Sequence, residues 1–384
     1  MRKHLLAAGL ALLPAITMSA GMEFDWDEGL RFESGPVRAT LGLQANFDFG
    51  RLEDTAGVTT GATLSRRLRP SLSLAVGKHW SGRVDVETGD ISPGVKNAWV
   101  QWRPSNGIAL RLGSQSVSFG LDSATGSQDS PFLERPISQA LGPGLLVGGE
   151  VTFSRPAGSL SVGYFGNSID DEDRRALSGK SLVMRLSGNP LVGQRGLWHL
   201  GLSAELRQAD DAVAFRLDPR PESYFPQPRL IDTRDIAAIN ELVNVNLETA
   251  WQHGPAILQG EFLHGHLTRT ANNLAATDFS GWYGSFSVAL TGERRRYSRG
   301  SGGFGGIKPR HGWGALELAV RVSELDLNDL PVSVGRQRTE TVALNYYYRE
   351  RVRLMLSLAR TDSTTRNLLD VQTQVAAARL QVSF

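Results

Sequence analysis

Ala376-Ala377-Ala378-Arg379-Leu380-Gln381-Val382-Ser383-Phe384 closes the chain. Ala376, Ala378, Leu380, Val382 and Phe384 share one parity, and Ala377, Arg379, Gln381 and Ser383 share the other. Successive side chains of a strand point to opposite faces, so this stretch describes a strand with an apolar face, a largely polar face and an aromatic last residue. What the apolar face meets decides the fold: the interior of a soluble sheet, or lipid.

That ending is similar to the terminal strand of bacterial outer-membrane β-barrels, and the start of the chain agrees with export. Arg2, Lys3 and His4 form a short basic segment, Leu5 to Leu13 an apolar run, and Thr17 to Gly21 a small-residue stretch suited to cleavage. Residues 1–21 therefore read as a signal peptide and residues 22–384 as one barrel domain. The apolar run, roughly nine residues long, is too short to cross a bilayer as a helix, and no later run of eighteen apolar residues exists.

Composition narrows the class. The chain has 384 residues, 42 glycines and 17 prolines without a compositional break between its halves, which argues for a single domain. It has no cysteine, which excludes a disulfide framework and a thiolate metal site. The formal net charge is +2 from 41 basic and 39 acidic residues, and loss of Arg2 and Lys3 with the leader leaves the mature chain neutral. No overall field draws nucleic acid to such a chain. Only Lys3, Lys78, Lys96, Lys180 and Lys308 are lysines, so the mature chain's cations are nearly all arginines, whose planar fork suits carboxylate and phosphate.

Transmembrane strands are about ten residues long, alternate with period two, and are joined by short turns on one side and longer loops on the other. That template predicts sixteen strands, at 37–50, 62–77, 82–89, 95–103, 108–117, 145–155, 158–167, 180–188, 197–208, 242–252, 256–267, 279–292, 313–324, 338–348, 351–361 and 374–384. The even number places both termini on the periplasmic side. In the second segment Leu64, Leu68, Leu72, Leu74 and Val76 are expected to face lipid, with Thr63, Ser65, Arg67, Arg69, Ser71 and Ser73 inside. In the ninth, Trp198, Leu200, Leu202, Ala204 and Leu206 oppose inward His199, Ser203, Glu205 and Arg207. Trp102, Trp198, Trp251, Tyr346, Tyr348 and Phe384 fall on outward parities at periplasmic ends, the position of an aromatic girdle.

The connections at 104–107, 155–157, 253–255 and 349–350 read as tight turns, and those at 51–61, 118–144, 168–179, 209–241 and 325–337 as long external loops. One segment on the short-turn side, 293–312, is about twenty residues long, a length that predicts folding into the lumen. Apparent catalytic signatures do not hold. Gly300, Gly302 and Gly305 fit Gly-x-Gly-x-x-Gly but follow no parallel strand and open no helix. His264 and His266 lack a third ligand and read as a polar strand end, so no metal, cofactor or catalytic group is expected.

Several stretches together resemble one family. Ala98-Trp99-Val100-Gln101-Trp102, Leu110-Arg111-Leu112-Gly113-Ser114-Gln115, Ser118-Phe119-Gly120-Leu121 and Phe132-Leu133-Glu134-Arg135-Pro136 are similar to the phosphate-selective porin O and P family. So are Leu290-Thr291-Gly292-Glu293-Arg294 through Tyr297 to Lys308-Pro309, Gly314-Ala315-Leu316-Glu317-Leu318 with Arg321, and the terminal strand. The resemblance implies an all-β transmembrane antiparallel barrel of sixteen strands, trimeric, in the bacterial outer membrane. It also implies that the third external loop, a later one and one periplasmic turn fold inward, and that arginines line a passive channel for small anions such as phosphate.

The candidate pore-lining residues are Arg66, Arg67 and Arg69 on the second strand, Arg135 in loop 118–144, Arg216, Arg220 and Arg229 (with Arg234 near by) in loop 209–241, Arg294, Arg295, Arg296 and Lys308 in the inward turn, and Arg321. By parity Arg67 and Arg69 point inward, and Arg66 is the weaker candidate. The competing reading is that an inward arginine braces a loop against an inward acid, of which Asp85, Glu87, Glu150, Glu205, Glu248, Glu261 and Glu317 offer many. Loop 118–144 carries one cation, Arg135, against Asp122, Asp129 and Glu134, a composition unlike a dedicated phosphate filter. The alternative function is a weakly selective porin for small hydrophilic solutes. On the terminal strand, Arg379, Gln381 and Ser383 are expected to line a water-filled lumen.

Overall fold

The computed structural model describes residues 21–25, 29–54, 57, 59–91, 93–169, 177–193, 196–210, 214–227, 229–270, 274–329, 334–365 and 370–384. The expected signal peptide lies outside the described residues except for Gly21. In chain order the strands are β1 (Gly21–Asp25), β2 (Gly29–Ser34), β3 (Val37–Asp54), β4 (Thr59–Val76), β5 (Trp80–Glu87), β6 (Gly94–Ser105), β7 (Ile108–Ser116), β8 (Leu145–Arg155), β9 (Gly158–Phe165) and β10 (Gly179–Val192). There follow β11 (Gly196–Ala209), β12 (Ile239–His253), β13 (Ala256–Arg269), β14 (Thr277–Ala289), β15 (Tyr297–Ser298), β16 (Gly303–Phe304), β17 (Ala315–Asp326), β18 (Gly335–Tyr348), β19 (Val352–Thr365) and β20 (Asp370–Ser383). Two helical turns, α1 (Leu121–Ala124) and a 3-10 turn (Ile137–Leu141), lie between β7 and β8.

Sixteen of these strands, all but β1, β2, β15 and β16, form one antiparallel sheet that closes where β20 pairs with β3, Ser383 opposite Gln44 and Thr373 opposite Asp54. Closure leaves the ladder without an open edge, which lipid would not tolerate. The sixteen segments expected from alternation are these sixteen strands. Leu200, Leu202 and Leu206 are exposed on the outer wall of β11 while His199, Ser203, Glu205 and Arg207 are buried inside. Trp80 stacks on Trp102 at 6.1 Å, and Trp198 lies opposite Trp251, so the periplasmic girdle is built from cross-strand pairs.

Three features depart from the expectation. The connection at 51–61 is not a long loop, because β3 and β4 continue to Asp54 and from Thr59. A hairpin, β1 and β2, precedes β3 and pairs with it from Leu41 to Val37, just beyond the point where β20 ends. Beside it the last residue, Phe384, exchanges backbone hydrogen bonds of 2.8 and 2.9 Å with Leu43 of β3. Gly29, at φ 88°, approaches Leu41 so closely that a Cβ would lie 2.4 Å from its carbonyl oxygen.

The third departure is a β-bulge in β4. Asn46 faces Arg67, and the next residue of β3, Phe47, faces Ser65, which leaves Arg66 as the extra residue. A bulge puts consecutive side chains on one face and inverts the parity beyond it. Arg66 is consequently inward and buried, not the outward residue that strict alternation makes it. On the outer-loop side of the bulge Leu64 packs on a lumenal cluster of Leu52, Phe225, Val375 and Ala377, so Leu64 is inside and Thr63 and Ser65 are not.

The lumen holds its own apolar core. Val117, Phe119, Ile137 and Leu141 of the loop after β7 join Phe215, Leu217, Ile231 and Ile236 of the segment after β11 and inward Leu146, Phe165, Leu263, Leu267, Phe279 and Leu325 of the wall. Loops 117–144 and 210–238 therefore fill one side of the outer half of the barrel. The turn between β14 and β17 rises from the other end as the hairpin β15–β16, and Phe304 packs with Leu121, Leu197, Ala250 and Ile257. Two loops and one turn fold inward, as expected.

Candidate functional site

Loop 117–144 crosses the lumen because the wall grips its backbone. Glu261 of β13 accepts the amides of Leu121 (3.0 Å) and Asp122 (2.6 Å), and Gly120, at φ 80°, passes so near that a Cβ would meet Glu261 and Asn246 at 2.4 Å. Further along, Asn345 donates to the Pro131 carbonyl at 2.9 Å, Arg353 to Ser130 at 2.7 Å and Gln381 to Gln128 at 3.0 Å. At its far end Glu134 receives Arg66 through two bonds of 2.7 Å and Arg379 at 2.8 Å. Arg379 also holds Asp48, at 2.6 and 2.7 Å. Burial pushes the Glu134 carboxyl up, but Arg66 and Arg379 overcome it and hold it at about 2. Asp129, with burial dominant over Arg295 and Arg353, is pushed up instead.

The expected arginines divide into braces and free forks. Arg66, Arg67 and Arg69 come together, with Glu134 on Arg66 and Glu87 on Arg69 at 3.1 Å. Arg67 donates to the Ser127 hydroxyl of the crossing loop, meets no carboxylate among the described residues, and has a buried Nε without a partner. Arg135 ties the loop to itself through Asp122 and the Thr125 carbonyl. Arg295 is a buried brace: it chelates Glu317 at 2.8 Å and reaches the carbonyls of Asp129 and Gly305. Arg321 binds Glu222 of loop 210–238 and stacks on Phe132 at 4.2 Å.

Others stand elsewhere than expected. Arg216 pairs with Asp232, and Arg229 bonds the Asp218 carbonyl and lies 3.9 Å from its carboxylate, so both strap loop 210–238 to itself. Arg220 lies 5.0 Å from the Tyr224 ring, and Arg294 donates to Gln252 at 3.1 Å. Arg296 and Lys308 share Glu350 at the exposed periplasmic rim. Arg379 and Gln381 face inward but are buried beneath the crossing loop, which corrects the expectation that they line water. His264 and His266 both reach Asp278, at 3.2 and 2.8 Å, on the exposed outer wall.

Since the loop is tied to β4, β11, β13 and β18 to β20, open space remains along the opposite wall. There a cavity of about 910 Å³ runs from the periplasmic turns up to Ser118 and Ser123. It is lined by Lys78, Arg103, Arg111, Arg155, Arg185 and Arg299, with Glu150 as the one acidic side chain among its lining residues. Arg185 is neutralised by Glu248 at 2.7 Å, and Glu150 is occupied by the Ser118 hydroxyl at 2.9 Å. Arg111 is held on edge by Gln101 (2.8 and 3.1 Å) and over the Trp99 ring at 4.5 Å; Glu150 stands opposite it in register on β8 but forms no ion pair with it. Lys78, Arg103, Arg111, Arg155, Arg185 and Arg299 were not among the sequence candidates. Inward parity on β6 and β7 places Arg103 and Arg111, whereas local clustering, the signal used, does not.

A closed sixteen-stranded barrel with an apolar belt, an aromatic girdle and a loop folded across a water-accessible lumen is an outer-membrane porin. Its sequence matches the model of the family "Phosphate-selective porin O and P" over residues 37–384, so the chain belongs to that family. It is 24% identical to Porin O of Pseudomonas aeruginosa, across 90% of this chain and 88% of that protein. Among solved structures, an anion-selective porin from Comamonas acidovorans superposes with a TM-score of 0.55 at 12% identity, covering 91% of this chain and all of its own. OmpT of Vibrio cholerae in its trimer form gives 0.55 at 13%, covering 90% and 100%. At these identities the structural likeness concerns the fold.

Proposed function

We propose that this porin is a passive channel preferring small anions, phosphate among them, and that Arg67 with the cationic wall of Lys78, Arg103, Arg111, Arg155 and Arg299 sets the preference. An anion entering a narrow pore gives up part of its hydration, and fixed guanidinium donors replace those bonds while repelling cations. Several shallow sites favour passage over capture. The observation that carries the reading is the imbalance of the open cavity, where Glu150 is the one acid among the lining residues and the cations other than Arg185 make no ion pair among the described residues. The family's description and the anion-selective neighbour support it.

A second reading, a weakly selective porin for small hydrophilic solutes, draws on the many arginines already neutralised: Arg69 by Glu87, Arg83 by Asp85, Arg295 by Glu317. The variant Arg67→Ala with Arg111→Ala separates the two. Under a salt gradient across a planar bilayer its zero-current potential is expected to fall toward zero from an anion-favouring wild-type value; an unchanged potential favours the second reading. We also take residues 1–21 as a cleaved leader, the chain as a homotrimer seated in outer-membrane lipid, in line with the trimer form of Vibrio OmpT, and the protein as non-enzymatic, its buried ions being engaged in anchoring loops.

A further inference from the structure

At the periplasmic rim of β17 and β18 the outer wall changes character within a few residues. Leu318 and Leu344 are exposed on the lipid face, Trp313 and Tyr348 stand below them at 53% and 45% exposure, and the turns beyond carry Arg310 and Arg349. The two turns are fastened together, since the Tyr346 hydroxyl donates to the Trp313 carbonyl and Lys308 binds Glu350. Arg349 lies over the Tyr348 ring at 5.8 Å, and His311 stacks on Trp313 at 5.6 Å with the planes 13° apart. The nearby acids are engaged: Glu350 by Lys308 and Arg296, and Glu293 by Thr291 and the Arg310 amide. Among the described residues neither the Arg310 nor the Arg349 guanidinium meets a carboxylate.

We infer that this rim is a binding site for the headgroup of an anionic phospholipid of the inner leaflet. Acyl chains meet Leu318 and Leu344, the rings of Trp313 and Tyr348 occupy the interface, and the two arginines take the phosphate. Arg349 sits at φ 57°, a conformation uncommon for a side-chain-bearing residue, which fixes the direction in which its fork leaves the turn. The site is on the outside of the barrel and is independent of the pore.

The test is the purified full chain in neutral detergent, with phosphatidylglycerol, phosphatidylethanolamine or inorganic phosphate added, read by native mass spectrometry and by the midpoint of heat-modifiable gel migration. Phosphatidylglycerol is expected to remain bound and to raise the midpoint, where the other two do neither. Each guanidinium near an anionic surface contributes about fivefold in affinity, so Arg310→Gln with Arg349→Gln is expected to weaken retention roughly 30-fold. The zero-current potential of the channel should not move, which also shows that the variant folds. Equal retention of both lipids, an equal effect of inorganic phosphate alone, or undiminished retention by a folded double variant would overturn the inference.

Discussion

Replacing Glu134 by glutamine keeps the shape of the side chain and removes one charge from the point where the crossing loop meets the wall. Arg379 would keep Asp48, at 2.6 and 2.7 Å, but Arg66 would lose its carboxylate and keep an uncharged amide oxygen and the Tyr224 ring, 3.6 Å from its guanidinium carbon. The size of the effect follows from the carboxyl itself, which Arg66 and Arg379 hold at about 2 against an ordinary value of 4.5. That displacement corresponds to about 3 kcal/mol of native-state stabilisation at neutral pH. Because the folded value lies below the unfolded one, the contribution is complete above the ordinary value and is lost as pH falls through that window toward about 2. E134Q lacks it at every pH. The midpoint of heat-modifiable migration should therefore be lower for E134Q by several degrees at neutral pH, and the gap should narrow as pH falls below 4.5 and close toward about 2. Equal midpoints at neutral pH, or a gap that widens with acid, would refute the role given to this carboxylate.

Arg321→Ala removes the partner of Glu222 and the plate beneath Phe132, leaving a buried charge uncompensated. The expected cost is about 3–5 kcal/mol, read as a lower unfolding midpoint and as new protease cleavage in loop 210–238. Gly113→Ala places a Cβ 2.2 Å from the Ala98 carbonyl at φ 127°, so the yield of folded barrel should drop sharply in a refolding assay. Arg111→Glu replaces a cation of the open cavity that makes no ion pair by an acid opposite Glu150, and its zero-current potential should move toward cations while its unfolding midpoint changes less than that of E134Q.

The barrel was legible because lipid imposes a strict rule: backbone bonds must be satisfied within the sheet and side chains must alternate. Leu200, Leu202 and Leu206 obey it and face outward as expected. The site was less legible, for a physical reason that Arg66 makes plain. One extra residue at the bulge turned Arg66 inward and Leu64 with it, and nothing in the local sequence Leu64-Ser65-Arg66-Arg67 announces it. Clusters misled in the same way. Arg216 and Arg229 lie in an arginine-rich loop, yet their aspartates, Asp232 and Asp218, are more than ten residues away in sequence and neutralise them. Arg103 and Arg111 are single cations on the two strands of one hairpin, and their shared inward parity, which no local cluster signals, brings them to one wall. The hairpin at β1 and β2 went unread because its strands, five and six residues long, are too short for the membrane-spanning template.

The most direct test of the central claim is the zero-current potential of the wild-type channel in a planar bilayer separating two concentrations of potassium chloride. The cationic cavity predicts a potential with the sign set by chloride, and a smaller magnitude at high ionic strength, where the exposed cations of the wall are screened. A potential with the sign set by potassium would contradict it.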